Sequence, residues 1–227
     1  MSKNLFIAGT GTDIGKTYVT ALIVKKLKEI GCNAAYYKAA MSGNERSESG
    51  NLIPGDAKWV KEISGISQPI SEMCPYIYET AVSPHLASRI EGNPVKMDVL
   101  DETFKAVAEN YDYITMEGSG GILCPISFDN GEIYLEDLIK HFGMNSLLIA
   151  DAGLGTINSV VLTYEYMIKK NLKLLGIIFN NYDPENTMHK DNLFMCERLT
   201  GLNVIACVKH GDKTLDIESE KLIALYQ

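Results

Sequence analysis

Three observations predict a doubly wound α/β fold, a mostly parallel sheet with helices on both faces. Short apolar runs such as Leu5-Phe6-Ile7-Ala8 and Ser146 to Ala150 alternate with longer runs of helical period. A glycine-rich stretch, Gly9-Thr10-Gly11-Thr12-Asp13-Ile14-Gly15-Lys16-Thr17, joins the first apolar run to the first helical one. No internal repeat, low-complexity tract or linker interrupts the 227 residues, so one domain spanning 1–227 is expected.

Lys3 to Gly9 reads as the first strand. Lys16 to Ile30 follows as a helix, because Val19, Leu22, Ile23 and Leu27 share one face and Gly31 stops it. Asn33 to Lys38 is a short second strand, and Ala39 to Gly55 is polar and without period, the mark of a functional or mobile loop. Helix resumes from Asp56 to Ile63, and Cys74 to Tyr78 is a further strand. Ser83-Pro84 supplies an N-cap and a proline at the first position of a helix over His85 to Glu91. Asp98 to Asn110 is helical, with Val99, Thr103, Ala106 and Val107 aligned. Asp112 to Glu117 is a strand that ends in an acid before Gly118-Ser119-Gly120-Gly121. Ile122 to Phe128 and Gly131 to Tyr134 flank Asp129-Asn130-Gly131, a hairpin-turn signal. Helices over Leu135 to Phe142, Thr156 to Lys170 and Pro184 to Leu199 then alternate with strands over Asn145 to Asp151, Lys173 to Asn180 and Val204 to Val208. A last helix is expected over Thr214 to Tyr226.

Composition narrows the function classes. A net charge of −8 and a pI near 5.1 oppose a nucleic-acid partner, which needs a clustered basic face. The apolar runs fall far short of the ~20 residues of a membrane helix, and no leader pattern precedes Leu5. A cytoplasmic protein acting on small molecules, without membrane partner, is expected. Five cysteines without C-x-x-C spacing indicate neither a disulfide framework nor a zinc site.

The glycine-rich stretch reads as a phosphate-binding loop. Glycines let successive backbone N–H groups point inward, and the helix N-terminus adds partial positive charge where a polyphosphate would sit. Lys16 would reach the terminal phosphates and Thr17 would place its hydroxyl on Mg²⁺. Gly9 and Gly15 enclose five residues, one more than the common spacing. Gly9, Gly11 and Gly15 also form a G-x-G-x-x-x-G pattern, which admits a dinucleotide site. Against that stand the Lys16-Thr17 pair and a second strand ending in Lys38 instead of an acid.

In open parallel sheets the ligand lies past the carboxyl ends of the strands. There the chain delivers the phosphate loop, Lys38, Ser42, Asp56, Glu117 and the Gly118 to Gly121 turn. Thr17, Asp56 and Glu117 are hard oxygen donors suited to Mg²⁺, and Lys16 and Lys38 are two cations for one polyphosphate. Singly, Asp56 reads as a helix cap, Glu117 as a strand end and Lys38 as a surface residue. Their coincidence with the phosphate loop points to a site for a nucleoside triphosphate and Mg²⁺.

On these motifs the chain resembles the dethiobiotin synthetase family, of the deviant P-loop NTPase superfamily. The similarity runs through the long-spaced loop Gly9 to Thr17, Lys38-Ala39-Ala40-Met41-Ser42-Gly43, Ser83-Pro84-His85, Glu117-Gly118-Ser119-Gly120-Gly121 and Gly153-Leu154-Gly155-Thr156-Ile157-Asn158. The resemblance implies an ATP- and Mg²⁺-dependent cyclo-ligase of biotin biosynthesis that joins CO₂ to 7,8-diaminononanoate. A carbamate and a carbamic-phosphoric anhydride would be its intermediates. It implies nucleotide binding by Gly11, Thr12, Asp13, Ile14, Gly15, Lys16, Thr17, Tyr18, Asp56, Glu117, Asn180 and Asn181, with Thr17, Asp56 and Glu117 on the metal. Lys38, Lys16 and Thr12 would be catalytic, Lys38 acting on the chemistry and not on folding. Thr12, Ser42, Gly118, Ser119, Gly120 and Gly121 would hold the diamine and its carbamate. Leu154, Gly155, Thr156 and Asn158 would receive the substrate carboxylate from a partner subunit, so a homodimer is implied.

The chain departs from the family pattern at Asp13, where Glu is frequent, and at Ala39, where Pro is. Lys209-His210-Gly211-Asp212 stands in place of a Pro-containing frame for the base, so weaker base discrimination than the family norm is expected. Two other classes compete. A partition-type or electron-donating ATPase usually carries a further Lys near Gly9 to Gly11, absent here. A non-catalytic nucleotide-binding module would not need both Lys38 and a three-oxygen metal set.

Overall fold

The computed structural model describes residues 2–129 and 131–227. In chain order the elements are β1 (Lys3–Gly9), α1 (Lys16–Glu29), β2 (Ala34–Tyr37), β3 (Ala40–Met41), α2 (Gly55–Ser64), a 3₁₀ turn (Ile70–Glu72), β4 (Tyr76–Ile77), α3 (Pro84–Ile90), α4 (Met97–Asn110) and β5 (Tyr113–Glu117). They continue with β6 (Pro125–Ser127), β7 (Ile133–Tyr134), α5 (Leu135–His141), β8 (Asn145–Asp151), α6 (Thr156–Lys169), β9 (Leu174–Asn180), α7 (Thr187–Thr200), β10 (Val204–Cys207) and α8 (Ser219–Ala224).

Six strands form one sheet in the order β10-β9-β8-β1-β5-β2, and every pairing in it is parallel. Strand β1 shows why this sequence makes such a sheet. Its side chains alternate between two cores: Leu5 and Ile7 pack with α1, while Phe6 and Ala8 pack on the opposite face with α4 and α5. A strand covered on both faces has no polar side to show, hence the unbroken apolar run. β1 lies between β5 and β8, so the chain order reverses beside it. The crevice at the carboxyl ends of β1 and β5 is where a doubly wound sheet receives its ligand.

The expected elements are present, with shifted phases at several points. On α4 the buried residues are Leu100, Phe104 and Val107, while Val99 and Thr103 are only partly covered and Ala106 is exposed. The larger Leu and Phe side chains set the face that packs. The aperiodic stretch after Lys38 contains strand β3, which pairs in parallel with β4, and a single bridge between Arg46 and Leu52. Helix α7 starts at Thr187 and not at Pro184, because the Asn186 side chain accepts the Met188 N–H at 2.9 Å and caps it there. The last helix is only six residues long, and the chain before it is irregular, with Leu215 and Ile217 buried. β6 and β7 pair antiparallel as the hairpin signal requires. The turn itself, Asp129-Asn130-Gly131, includes residue 130, which lies outside the described residues.

Candidate active site

The chain leaves β1 at Gly9 and reaches α1 through a loop in which Asp13 and Gly15 both take positive φ, 57° and 80°. Alternation of right- and left-handed residues turns successive amides toward one side, which makes an anion cradle. A Cβ on Gly9 would stand 2.4 Å from Cδ of Lys16, so glycine there lets the lysine stem lie over the loop. Lys16 then folds back and donates from Nζ to the Gly11 carbonyl at 2.5 Å. Burial brings its ammonium down to about 8, against the upward pull of Glu117.

Lys38, Asp56, Glu117 and Thr17 come from four separate elements and meet at one point. Lys38 Nζ donates to Glu117 Oε1 at 2.7 Å and to Asp56 Oδ2 at 2.6 Å. Thr17 donates its hydroxyl to the same Glu117 Oε1 at 2.8 Å. Glu117 is 2% exposed and the Asp56 side chain 40% exposed, so the ammonium bridges a buried carboxylate and one open to solvent. Burial alone would lower Lys38, but the charges of Glu117 and Asp56 outweigh it and hold the ammonium above the ordinary lysine range. Burial pushes the Asp56 carboxyl up, and Lys38 overrides it, keeping the group below the usual carboxylate range. Asp56 is held in place by Asn44, whose Oδ1 accepts the Gly55 N–H at 2.9 Å and whose Nδ2 donates to the Tyr78 and Met41 carbonyls. Among the described residues no three His, Cys, Asp or Glu side chains gather as a metal cluster. The donor set that could hold a divalent cation is therefore two carboxylates and the Thr17 hydroxyl.

Beside this point lies a cavity of about 560 Å³ lined by Thr12, Asp13, Lys38, Ser42, Asp56, Ser119 and Gly120. The two serines anchor its walls: Ser42 Oγ donates to the Val82 carbonyl at 2.5 Å and Ser119 Oγ to the Ala40 carbonyl at 2.9 Å. Cys124 and the segment Ala81 to Pro84 also line it. They are not among the site residues expected from sequence, although Ser83-Pro84-His85 is one of the motifs that carry the resemblance.

The other expected site residues are placed as follows. Asn180, 4% exposed, donates from Nδ2 to the Ile14 carbonyl at 3.0 Å and packs against Gly15, where a Cβ would come within 2.1 Å of Nδ2. Its Oδ1 is buried without a partner among the described residues. Asn181 donates to Asp151 Oδ2 at 2.7 Å. Tyr18 donates its hydroxyl to the Asp212 carbonyl, which ties α1 to the turn after β10. That turn is closed without proline: Asp212 Oδ2 accepts the Lys209 N–H at 2.8 Å, and the Asp212 N–H donates to the Lys209 carbonyl at 3.2 Å. Leu154, Gly155 and Asn158 line a separate, shallow depression with Leu162 and Leu199, away from the Lys38 cavity. Within one chain this group and the lysine do not meet. Thr156, at the start of α6, has its hydroxyl buried without a partner among the described residues.

Residues 3–216 match the family model described as AAA domain. An ATP-dependent dethiobiotin synthetase BioD of Clostridium botulinum (strain Loch Maree / Type A3) is 46% identical over 227 residues, covering 100% of this chain and 99% of the relative. An enzyme of the same name from Brachyspira hyodysenteriae is 49% identical over 95% of this chain and 96% of its own. The chain belongs to the dethiobiotin synthetase family. The solved structures similar to it include a MinC:MinD complex of Aquifex aeolicus, at TM-score 0.57 and 14% identity over 93% of this chain and 83% of the other. A ParA family ATPase of Chlorobium tepidum also reaches TM-score 0.57, at 13% identity over 98% and 88%. These likenesses establish the nucleotide-loop α/β fold and nothing further. The dethiobiotin synthetase family assignment rests on the sequence relatives.

Proposed function

We propose that this protein forms dethiobiotin from 7,8-diaminononanoate, CO₂ and ATP, as one domain spanning 1–227. The observation that carries the reading is the position of Lys38, between Asp56 and Glu117 at the wall of a polar cavity that adjoins the phosphate loop. In the reaction one substrate amine captures CO₂ as a carbamate. A carbamate oxygen then takes the γ-phosphoryl group from ATP, releasing ADP. The second amine attacks the carbonyl carbon of that anhydride, closes the cyclic urea and expels phosphate.

Each step puts charge near a named group. The Gly11 to Gly15 amides and Lys16 hold the β- and γ-phosphates, Lys16 leaving the Gly11 carbonyl for the phosphate oxygens. Lys38 neutralises charge on the carbamate and on the phosphoryl group in flight, and positioning with charge neutralisation is most of what phosphoryl transfer requires. Thr12, Ser42 and the 118–121 turn orient the diamine. Thr17, Asp56 and Glu117 are hard oxygen donors of the kind Mg²⁺ takes beside nucleotide phosphates, so the set fits that ion. When bound, Mg²⁺ would supply positive charge to the phosphate oxygens.

Two copies of the chain complete the site in this reading. Support comes from the apolar surface of α6, α7 and the loop before α6, where Leu154 is 94% and Leu162 62% exposed, with Leu199 and Phe194 also open. The start of α6 beside that surface, where Gly155 and Asn158 are exposed, suits a carboxylate from the substrate of the other copy. A cytoplasmic location accords with the absence, among the described residues, of any helix long and apolar enough to cross a membrane.

A partition-type ATPase shares the fold, yet it would hydrolyse ATP without the diamine. The test is phosphate release measured with diamine and bicarbonate each omitted in turn. Turnover that needs both supports the synthetase; turnover indifferent to the diamine removes it.

A further inference from the structure

Strand alternation places Tyr36 and Lys38 on the same side of the chain at the end of β2, with Tyr37 on the other side. Tyr37 turns to α4, where its hydroxyl meets Thr103 Oγ1 at 2.8 Å. Tyr36 lies opposite Thr115 in the parallel register with β5, and Glu117 is two residues further along on the same face. A phenol is long enough to span that diagonal. Tyr36, fully buried, donates its hydroxyl to Glu117 Oε2 at 3.1 Å. The two oxygens of Glu117 are thus divided. Oε1 takes Thr17 and Lys38, and Oε2 has Tyr36 as its hydrogen-bond donor.

We infer that Tyr36 is a positioning residue for the metal site: its hydroxyl pins the far oxygen of Glu117 so that the near oxygen faces Thr17 and Lys38. This rests on the proposed role of Glu117 as a metal donor. A purely space-filling role would be met by phenylalanine, which needs no acceptor in a buried place. Here the hydroxyl is instead matched to the single buried carboxylate of the site, on a residue that already carries Lys38 two positions on. Groups that hold a ligating carboxylate through a hydrogen bond commonly change metal affinity by about 10-fold or more when removed.

The experiment compares wild type, Tyr36→Phe, Glu117→Gln and the double variant. Mn²⁺ affinity is read from the free-ion electron paramagnetic resonance signal in the presence of ADP. ADP affinity is measured separately in metal-free buffer, and melting temperatures are recorded for all four proteins. The expected result is a rise of about 10-fold in the Mn²⁺ dissociation constant for Tyr36→Phe, with metal-free ADP binding unchanged. The double variant should bind Mn²⁺ no worse than Glu117→Gln alone, because the hydroxyl acts only through that carboxylate. Unchanged Mn²⁺ affinity in Tyr36→Phe, with Glu117→Gln weakened, overturns the role of Tyr36 and leaves the metal site standing. Unchanged affinity in Glu117→Gln removes the metal site itself. Equal weakening of metal-free ADP binding overturns the inference in favour of a general loosening. If Tyr36→Phe fails to fold, folding of the double variant supports the pairing, since the carboxylate oxygen that lost its donor is then replaced by a neutral amide, and failure of both contradicts it.

Discussion

Lys38 Nζ stands 2.7 Å from Glu117 Oε1, and that contact links the second strand to the fifth at the mouth of the crevice. It also neutralises a carboxylate whose side chain has no solvent exposure. The ammonium proposed to serve the reaction is therefore also the ion-pair partner of a buried carboxylate.

Lys38→Ala should accordingly cost both turnover and stability, against the expectation from sequence that Lys38 would matter to chemistry alone. Removing one partner of a buried ion pair commonly costs about 3 kcal/mol or more. Turnover should fall by orders of magnitude, since an electrostatic stabiliser of this kind is worth roughly 3 kcal/mol in the transition state. The stability loss should shrink when Mg²⁺ and nucleotide are added, because a divalent cation compensates the same carboxylates. Thermal unfolding with and without both ligands checks this, and a loss that ligands leave unchanged would contradict it.

Lys16 makes nucleotide affinity depend on pH. Its ammonium is held at about 8, below the free-lysine value of 10.5, by burial. Bound phosphates favour the charged form, so nucleotide binding above pH 8 should take up a proton and weaken as pH rises through that value. For the free protein the sign is opposite: the unfolded chain binds the proton more tightly between about 8 and 10.5, so this group adds stability as pH rises across that window. Calorimetry of ADP binding at pH 7 and pH 8.5, in buffers of different ionisation enthalpy, should show uptake only at the higher pH.

The base preference follows from how Asn180 is committed. One N–H of its Nδ2 belongs to the Ile14 carbonyl, and its Oδ1, which has no partner among the described residues, can only accept. A base that meets this oxygen must bring a donor, which adenine and cytosine have in their exocyclic amines and guanine and uracil lack at the matching position. ATP and CTP should exceed GTP and UTP in kcat/KM by about 10-fold, the worth of one hydrogen bond that a buried partner would otherwise lose. Equal efficiency with GTP would show that Asn180 does not read the base.

Leu162→Glu places a charge in the exposed apolar face of α6. In the two-copy reading this variant should elute at the 25.1 kDa mass of one chain and lose activity while keeping its melting temperature. A full-sized dimer, or a monomer with full turnover, would contradict the shared site.

The parts of this site that could be read from sequence are those that sit at strand ends. Lys38 and Glu117 each close a strand, and the phosphate loop announces itself by glycines and Lys16-Thr17, so the doubly wound order alone brings them to one rim. Tyr36 was less legible because a tyrosine inside a strand reads as core, although its i−2 relation to Lys38 was available from alternation. Asn44 and Cys124 lie in irregular chain, whose path depends on contacts with Tyr78, Gly55 and Gly120 that no local pattern encodes. The same holds for the turn at Lys209 to Asp212. It reads as an open gap where proline is expected, yet the Asp212 side chain and Tyr18 close it. The α4 face was misphased because alternation of small apolar residues outweighed the bulk of Leu100 and Phe104.

The central claim is that the γ-phosphoryl group passes to a carbamate oxygen before the ring closes. ¹⁸O-labelled bicarbonate, equilibrated briefly to CO₂ and supplied with ATP and the diamine, tests it by mass spectrometry of the released phosphate. One ¹⁸O atom in that phosphate is the predicted result, since the oxygen that bridged carbon and phosphorus leaves with phosphorus. Phosphate carrying no label beyond that of the solvent, while dethiobiotin still accumulates, would contradict the account.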